Sequence, residues 1–259
     1  LHDALRSEKE DSILLAAAED KFRQCSQQYM LTNTGFLDLR QRSLVEARCR
    51  QLERSAPEVR CVFFGGYEDA ERTMALFLPD YASEEDAPLR VVRAETLSGS
   101  ARLSHRDYLG SLTGLGIKRE MIGDILIHET GADILVLEEM AEFLLLHYSQ
   151  AGRVALKLKE VPLSELRIPE VRSVTHKDTV ASLRLDNVIS SAFSLSRAKA
   201  AEAIRSGLVF VNSAQTEKTD APVKEGDKLV LRGKGKAFLR EVGSRTRKDR
   251  IFISIERFL

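Results

Sequence analysis

The sequence predicts an α+β protein of three successive units: a small N-terminal α/β unit, a βαββαβ unit, and two short helices set on a β-ribbon. Three observations predict it. Apolar residues switch repeatedly between helical and alternating periodicity. Two stretches, an acidic one containing Pro88 and one bracketed by Pro162 and Pro169, break the pattern and read as linkers. The 259-residue chain is neutral as a whole, yet residues 1–171 hold 21 Lys and Arg against 29 Asp and Glu, and residues 172–259 hold 18 against 10. The expected domains are 1–82, 83–168 and 169–259.

In the first domain, Asp3 to Tyr29 and Leu39 to Glu53 carry helical periodicity, and the LTNTGFLDLRQ stretch between them is broken by Thr, Asn and Gly. VRCVFF is a β-rich run stopped by Gly65 and Gly66, and Thr73 to Leu78 is a second strand closed by Pro79. From Leu89 the signals run strand LRVVRAE, helix SHRDYLGSLTGLG, strands IGDILIH and ADILVL around Gly131, helix EEMAEFLLLHYSQAG stopped by Gly152, and strand VALKLKEV. That order implies a ferredoxin-like sandwich, the plan of many RNA-recognition modules. Such modules stack bases on sheet aromatics, whereas Tyr108, Phe143 and Tyr148, the aromatics of 89–161, all fall on predicted helices. The expected role of this unit is a scaffold or a protein contact surface, with RNA contact the lesser reading.

In the last domain, Leu185, Val188, Ile189 and Ala192 share one face of a short helix over Leu183 to Ala192. Ser196 is placed to cap a second helix, Arg197 to Arg205, which Gly207 ends. Val209 and Val211 lead to a turn at Asn212, and Gly226-Asp227 opens a strand through Leu229 and Leu231.

Composition excludes several classes of function. A hydrophobic share of 43% with 30% charged residues is ordinary for a globular chain, and no apolar run approaches the ~18 residues that span a bilayer. Asp3, Glu8, Glu10 and Asp11 stand where a secretion signal carries basic residues, so a cytoplasmic protein without membrane contact is expected. Cys25, Cys49 and Cys61 are odd in number and widely spaced, which implies reduced thiols with neither a disulfide framework nor a metal knuckle. No metal and no cofactor are expected.

The basic end carries the candidate chemistry. A helix start presents unpaired N–H groups and a positive dipole end, so Ser196, Arg197 and Lys199 form a phosphate cradle. Arg184 opens the preceding helix, Arg205 lies two turns along the second, and Arg232, Lys234 and Lys236 alternate with glycines that admit a close backbone. A polyanion held this way is gripped through phosphates, with salt-sensitive affinity and little reading of bases, which suits structured RNA rather than DNA.

The run RLD, SRAKA, IRSG, VFVN and GDKLVL resembles the S4 RNA-binding domain over about sixty residues. TGFLDLRQ, FFGGYEDAER, GLGIKREMIGDIL and RGKGKAFL resemble landmarks of the bacterial and plastid YlmH-type S4 proteins, and together they span nearly the whole chain. The resemblance implies an RNA-binding protein that associates with the large ribosomal subunit and with tRNA in quality control of stalled translation; the expected function is non-catalytic docking of structured rRNA or tRNA on that subunit. It also implies that Arg184, Ser196, Arg197, Lys199 and Arg205 occupy RNA-facing helical positions, and Lys234 and Lys236 a basic glycine-rich strand. Two departures bear on detail: Asn212 is followed by Ser213 where Asn-Gly is usual, and Lys236 stands where Arg, with its two-pronged grip on phosphate, is commoner.

Each position has a plainer reading. Arg184 can pair with Asp186, itself a structural residue that orients the arginine; Lys218, Lys224 and Lys228 sit among carboxylates as neutralised loops; SRTRKDR is a charged turn or an extension of the basic face. Two alternatives from other classes stand beside the RNA-docking reading. One is an RNA-modifying enzyme with an S4 targeting domain, its site near Glu68, Asp69, Glu71 and Arg72. The other is a protein-interaction adaptor. Against an enzyme, SGSA at Ser98 to Ala101 lacks cofactor-loop spacing, His105 beside Asp107 has no nucleophile, and His128 beside Glu129 has no second ligand at a metal offset.

Overall fold

The computed structural model describes residues 2–97, 102–170 and 172–258, with side chains of the first helix from Glu8 onward. They divide into two units, 1–169 and 170–259. The first opens with helix α1 (His2–Gln28), strand β1 (Thr32–Leu37), helix α2 (Leu39–Ser55) and strands β2 (Arg60–Phe64) and β3 (Thr73–Leu78). The strands form an antiparallel sheet in the order β1-β3-β2. All six residues of β3 are buried because it is covered on both faces. Ala75 and Phe77 meet Phe22 and Cys25 of α1 and Val45 and Cys49 of α2 on one side. Met74, Leu76 and Leu78 meet a second sheet on the other.

Strand β1 occupies the stretch whose Thr, Asn and Gly read as a break. Its polar residues are buried with partners: the Thr32 hydroxyl donates to the Lys21 carbonyl at 2.6 Å, and the Thr34 hydroxyl accepts from the Ala75 N–H at 3.0 Å. Asp38 then starts α2 with a capping box, accepting from the Gln41 N–H at 2.8 Å while the Gln41 side chain accepts from the Asp38 N–H at 2.9 Å.

The second sheet contains β4 (Leu89–Thr96), β5 (Ile122–His128), β6 (Gly131–Leu137), the two-residue β7 (Gln150–Ala151) and β8 (Val154–Val161), ordered β5-β6-β4-β8-β7. Leaving out β7, this is the antiparallel order of a ferredoxin-like sandwich. Helices α3 (His105–Gly114) and α4 (Glu138–His147) cover one face. The other face, which RNA-recognition modules leave open, is packed against β3 through Leu89, Val91, Leu135 and Leu137. The unit is therefore layered helix, sheet, sheet, helix.

Three expectations are corrected here. Helix α4 stops at His147 rather than near Gly152, because Tyr148 turns into the core and Gln150–Ala151 pairs with β8. Gly152, at φ +56°, makes that hairpin turn instead. The acidic stretch before Leu89 is not a free linker: Ser83 caps a short 3-10 turn, Glu84–Asp86, and Ala82 and Ala87 are buried on either side. The stretch bracketed by Pro162 and Pro169 is not a free linker either. Leu163 and Leu166 pack on the core, Asp133 accepts from the Arg167 N–H at 2.8 Å, and a strand already begins at Ser173.

The second unit is a six-stranded antiparallel sheet with two helices on one face, rather than a lone ribbon. Its elements are β9 (Ser173–Val180), α5 (Leu185–Ala192), α6 (Arg197–Arg205), β10 (Val209–Val211), β11 (Ala214–Gln215), β12 (Lys228–Leu231), β13 (Gly235–Arg245) and β14 (Ile251–Phe258). The order is β11-β10-β12-β13-β14-β9. Leu185, Val188 and Ile189 of α5 and Ala200 and Ile204 of α6 close over Leu229, Leu231, Ala237, Leu239, Ile253 and Ile255. Asn212 and Ser213, at φ +49° and +69°, form the tight β10–β11 turn without the usual glycine. The Asn212 side chain bridges to Asp227 at 2.8 Å and to the Lys228 N–H at 2.9 Å.

Candidate nucleic-acid interface

Asp186 organises the helical side of the second unit. It lies in the first turn of α5, its side chain only 5% exposed, and accepts from two guanidinium groups. Arg184, the residue before α5, gives it two hydrogen bonds at 3.1 and 3.0 Å. Arg197, the first residue of α6, approaches the same carboxylate at 3.3 Å. Burial pushes the Asp186 carboxyl up, but the hydrogen bonds and charges of Arg184 and Arg197 outweigh it and hold it below the usual carboxylate range. The two arginines stay 41% and 61% exposed, so they are aimed by the aspartate and not buried against it.

Arg197 reaches Asp186 because the connection from α5 to α6 is tight. Ser194 sits at φ +53°, the Leu195 N–H donates to the Ser190 carbonyl at 3.0 Å, and the Ser190 hydroxyl donates to the Leu195 carbonyl at 2.7 Å. Ser196 caps α6, accepting from the Lys199 N–H at 3.3 Å. Arg184, Arg197 and the exposed Lys199 thus stand around one helix start. Arg205 is exposed in the last turn of α6. The Arg232 N–H donates to the Leu208 carbonyl at 2.9 Å, which sets the end of β12 beside the junction after α6. Lys234 is exposed in the β12–β13 turn.

Lys236 does not join them. Its neighbours Ala237 and Leu239 enter the core beneath the helices, so Lys236 lies on the opposite face of the sheet, 5.0 Å over the ring of Phe258. Gly233 and Gly235, at φ +80° and +102°, serve the hairpin turn rather than a shared anion cradle. Lys228, read as a neutralised loop cation, stands in β12 on the same side as Lys236, over Phe238 at 5.9 Å. SRTRKDR is the β13–β14 turn, in which Arg245 bonds Asp249 at 2.6 Å.

The loop weighed as an active site is tied down through Tyr67, Arg72 and the backbone of Glu71. Asp124 accepts from the Tyr67 hydroxyl and from the N–H groups of Glu71 and Arg72 at 2.8, 2.8 and 3.1 Å. The Arg72 guanidinium donates to the carbonyls of Ile122, Phe36 and Arg119. This latch joins the two sheets. Asp107 bonds Ser104 within the α3 cap, and His128 contacts Asp133 at 3.3 Å, where Asp133 already holds Arg93 at 2.7 and 2.8 Å. Ser98 to Ala101 lies outside the described residues. Among the described residues, no group of three His, Cys, Asp or Glu is placed to hold a metal, and Cys25, Cys49 and Cys61 are free. No described helix is long and apolar enough to cross a membrane.

Residues 83–165 match the model described as a putative RNA-binding domain in YlmH, and residues 183–229 match the S4 domain. A solved structure, the cell division protein ylmH from Streptococcus pneumoniae, aligns with a TM-score of 0.50 at 22% identity, covering 62% of this chain and 95% of that one; it supports the fold. The ribosome-associated protein quality control protein P2 of Bacillus subtilis (strain 168) is 35% identical over 251 residues. Because that identity runs through 96% of both chains, across both units and not merely the S4 segment, the chain belongs to the YlmH-type family of S4-domain proteins.

Proposed function

We propose that this chain is a non-catalytic, cytoplasmic RNA-binding protein that docks structured rRNA or tRNA on the large ribosomal subunit in quality control of stalled translation. The observation that carries the reading is the Asp186 arrangement: a buried carboxylate holds two half-exposed guanidinium groups at the start of α6, next to Lys199. Preset guanidinium forks over a helix start suit phosphate oxygens, because fixed donors lose little freedom on binding. The matched domains support RNA binding, and the relative's printed name supplies the ribosomal context. The enzyme reading has less support, since the 67–72 loop carries the sheet-to-sheet latch through Tyr67, Arg72 and the backbone of Glu71.

Sedimentation with purified large ribosomal subunits tests this. The R197E/K199E variant is expected to leave the pellet at moderate salt, with the log affinity against log salt slope flattened by roughly two. Unchanged sedimentation with an unchanged slope rejects the reading.

A further inference from the structure

The helices cover one face of the second unit's sheet and leave the other to different chemistry. On β13, Ala237 and Leu239 enter the core, so Lys236 and Phe238 point the other way. On β14, Ile253 and Ile255 enter the core and Arg257 stands over Phe193 of the same core, so Glu256 and Phe258 share the outer face. Phe238 and Phe258 meet edge to face, with centroids 5.7 Å apart at 67°. Arg240 stands over Phe238 at 4.3 Å and Lys228 over the same ring at 5.9 Å, while Lys236 stands over Phe258 at 5.0 Å. Both rings are half-buried.

Cross-strand pairing adds Lys177 and Glu241, both opposite Ser254, to this face. Lys177, Lys228, Lys236 and Arg240 therefore stand against Glu241 and Glu256, and Glu256 is already held by Arg240 and by the Ser173 hydroxyl. Two phenylalanines flanked by cations match the needs of unpaired nucleotides: flat π faces for bases and positive charge for phosphates. A duplex hides its base faces and has no use for such rings.

We propose that Phe238, Phe258, Lys228, Lys236 and Arg240 form a second RNA site, which stacks an unpaired ribonucleotide segment on the sheet face opposite the helices. Phe238, Arg240 and Phe258 lie beyond the segment that matches the S4 domain. Stacking on an aromatic ring is worth about 5- to 150-fold in affinity per base, whereas an exposed cation–π contact is worth about 2- to 5-fold. A base therefore displaces the cation from the ring, and the cation turns to that nucleotide's phosphate. This site is separate from the arginines around Asp186, and it stands or falls without them.

The test uses the full chain with two fluorescein-labelled probes read by anisotropy: an unstructured oligoadenylate of twelve nucleotides, and an abasic ribose-phosphate chain of equal length. The wild type is expected to prefer the oligoadenylate by at least about tenfold. F238L/F258L, which keeps apolar bulk, should lose that preference while keeping salt-dependent binding to both probes, and R197E/K199E should keep the preference. A thermal melt checks that the leucine variant folds; if it does not, F258L alone, at the sheet's end, carries the comparison. Equal binding of the two probes by the wild type, or a preference that survives the leucine variant, overturns the proposal. So does failure to bind either probe, and a loss of subunit sedimentation in the same variant would then mark the face as a protein contact.

Discussion

Asp186 shows how one buried carboxylate can decide where neighbouring guanidinium groups point. Removing its charge while keeping its shape, as in D186N, should release both guanidinium groups and weaken sedimentation with large subunits severalfold. It should also lower stability by about 1–2 kcal/mol in urea denaturation, since a charged acceptor with two half-exposed partners is lost. The pH dependence has a definite sign. The folded-state carboxyl lies below its unfolded value, so its contribution is complete above about pH 3.9 and disappears as pH falls through the lower folded value. The difference in stability between wild type and D186N should shrink in acid over that window. In the sequence, Arg184 and Asp186 are two residues apart and their pairing is legible. Arg197 is eleven residues from Asp186, and only the tight turn through Ser194 and Leu195 brings them together.

At the scale of elements, local chemistry was legible wherever it was self-contained. The apolar face of α5, the Ser196 cap and the strand Thr73–Leu78 stand as read, because each depends on residues within a few positions. Strand β1 was not legible, since Thr32 and Thr34 are tolerated in the interior only through partners on α1 and β3. Strand β9 was hidden for a similar reason: it lies at the sheet's edge, mostly exposed, and pairs with the last strand of the chain. The loop between β2 and β3 yields a prediction at this scale. R72M should cost about 3 kcal/mol or more, because the carbonyls of Phe36, Ile122 and Arg119 lose their shared donor. E71Q should be close to neutral, because only the backbone of Glu71 takes part in the latch. Urea midpoints of the two variants check both statements, and a large effect of E71Q would return the loop to candidacy as a reactive site.

For the whole molecule, the alternation along β3 predicts which pieces can stand alone. A fragment of residues 170–259 contains its own closed core and should unfold cooperatively by calorimetry. A fragment of residues 1–82 would present Met74, Leu76 and Leu78 to water without Leu89, Val91 and Leu135, and should bind hydrophobic dye and lack a sharp transition. A cooperative melt from residues 1–82 would show that the two sheets of the first unit are separable. The helices and most of the strands, the Ser196 cap, the neutral average that hides a basic end, and the S4 and YlmH resemblance were determined by the sequence alone, because propensity, periodicity and motif spacing act over short distances. The tertiary structure alone decided that the sandwich's second face is covered by β3, that Arg184 and Arg197 share one carboxylate, and that Lys236 stands with Phe238 and Phe258 on the far side of the sheet. Those outcomes depend on which strand lies beside which and on the face its pleat presents. That pairing is fixed by burial between residues far apart in the chain, where local pattern carries no information.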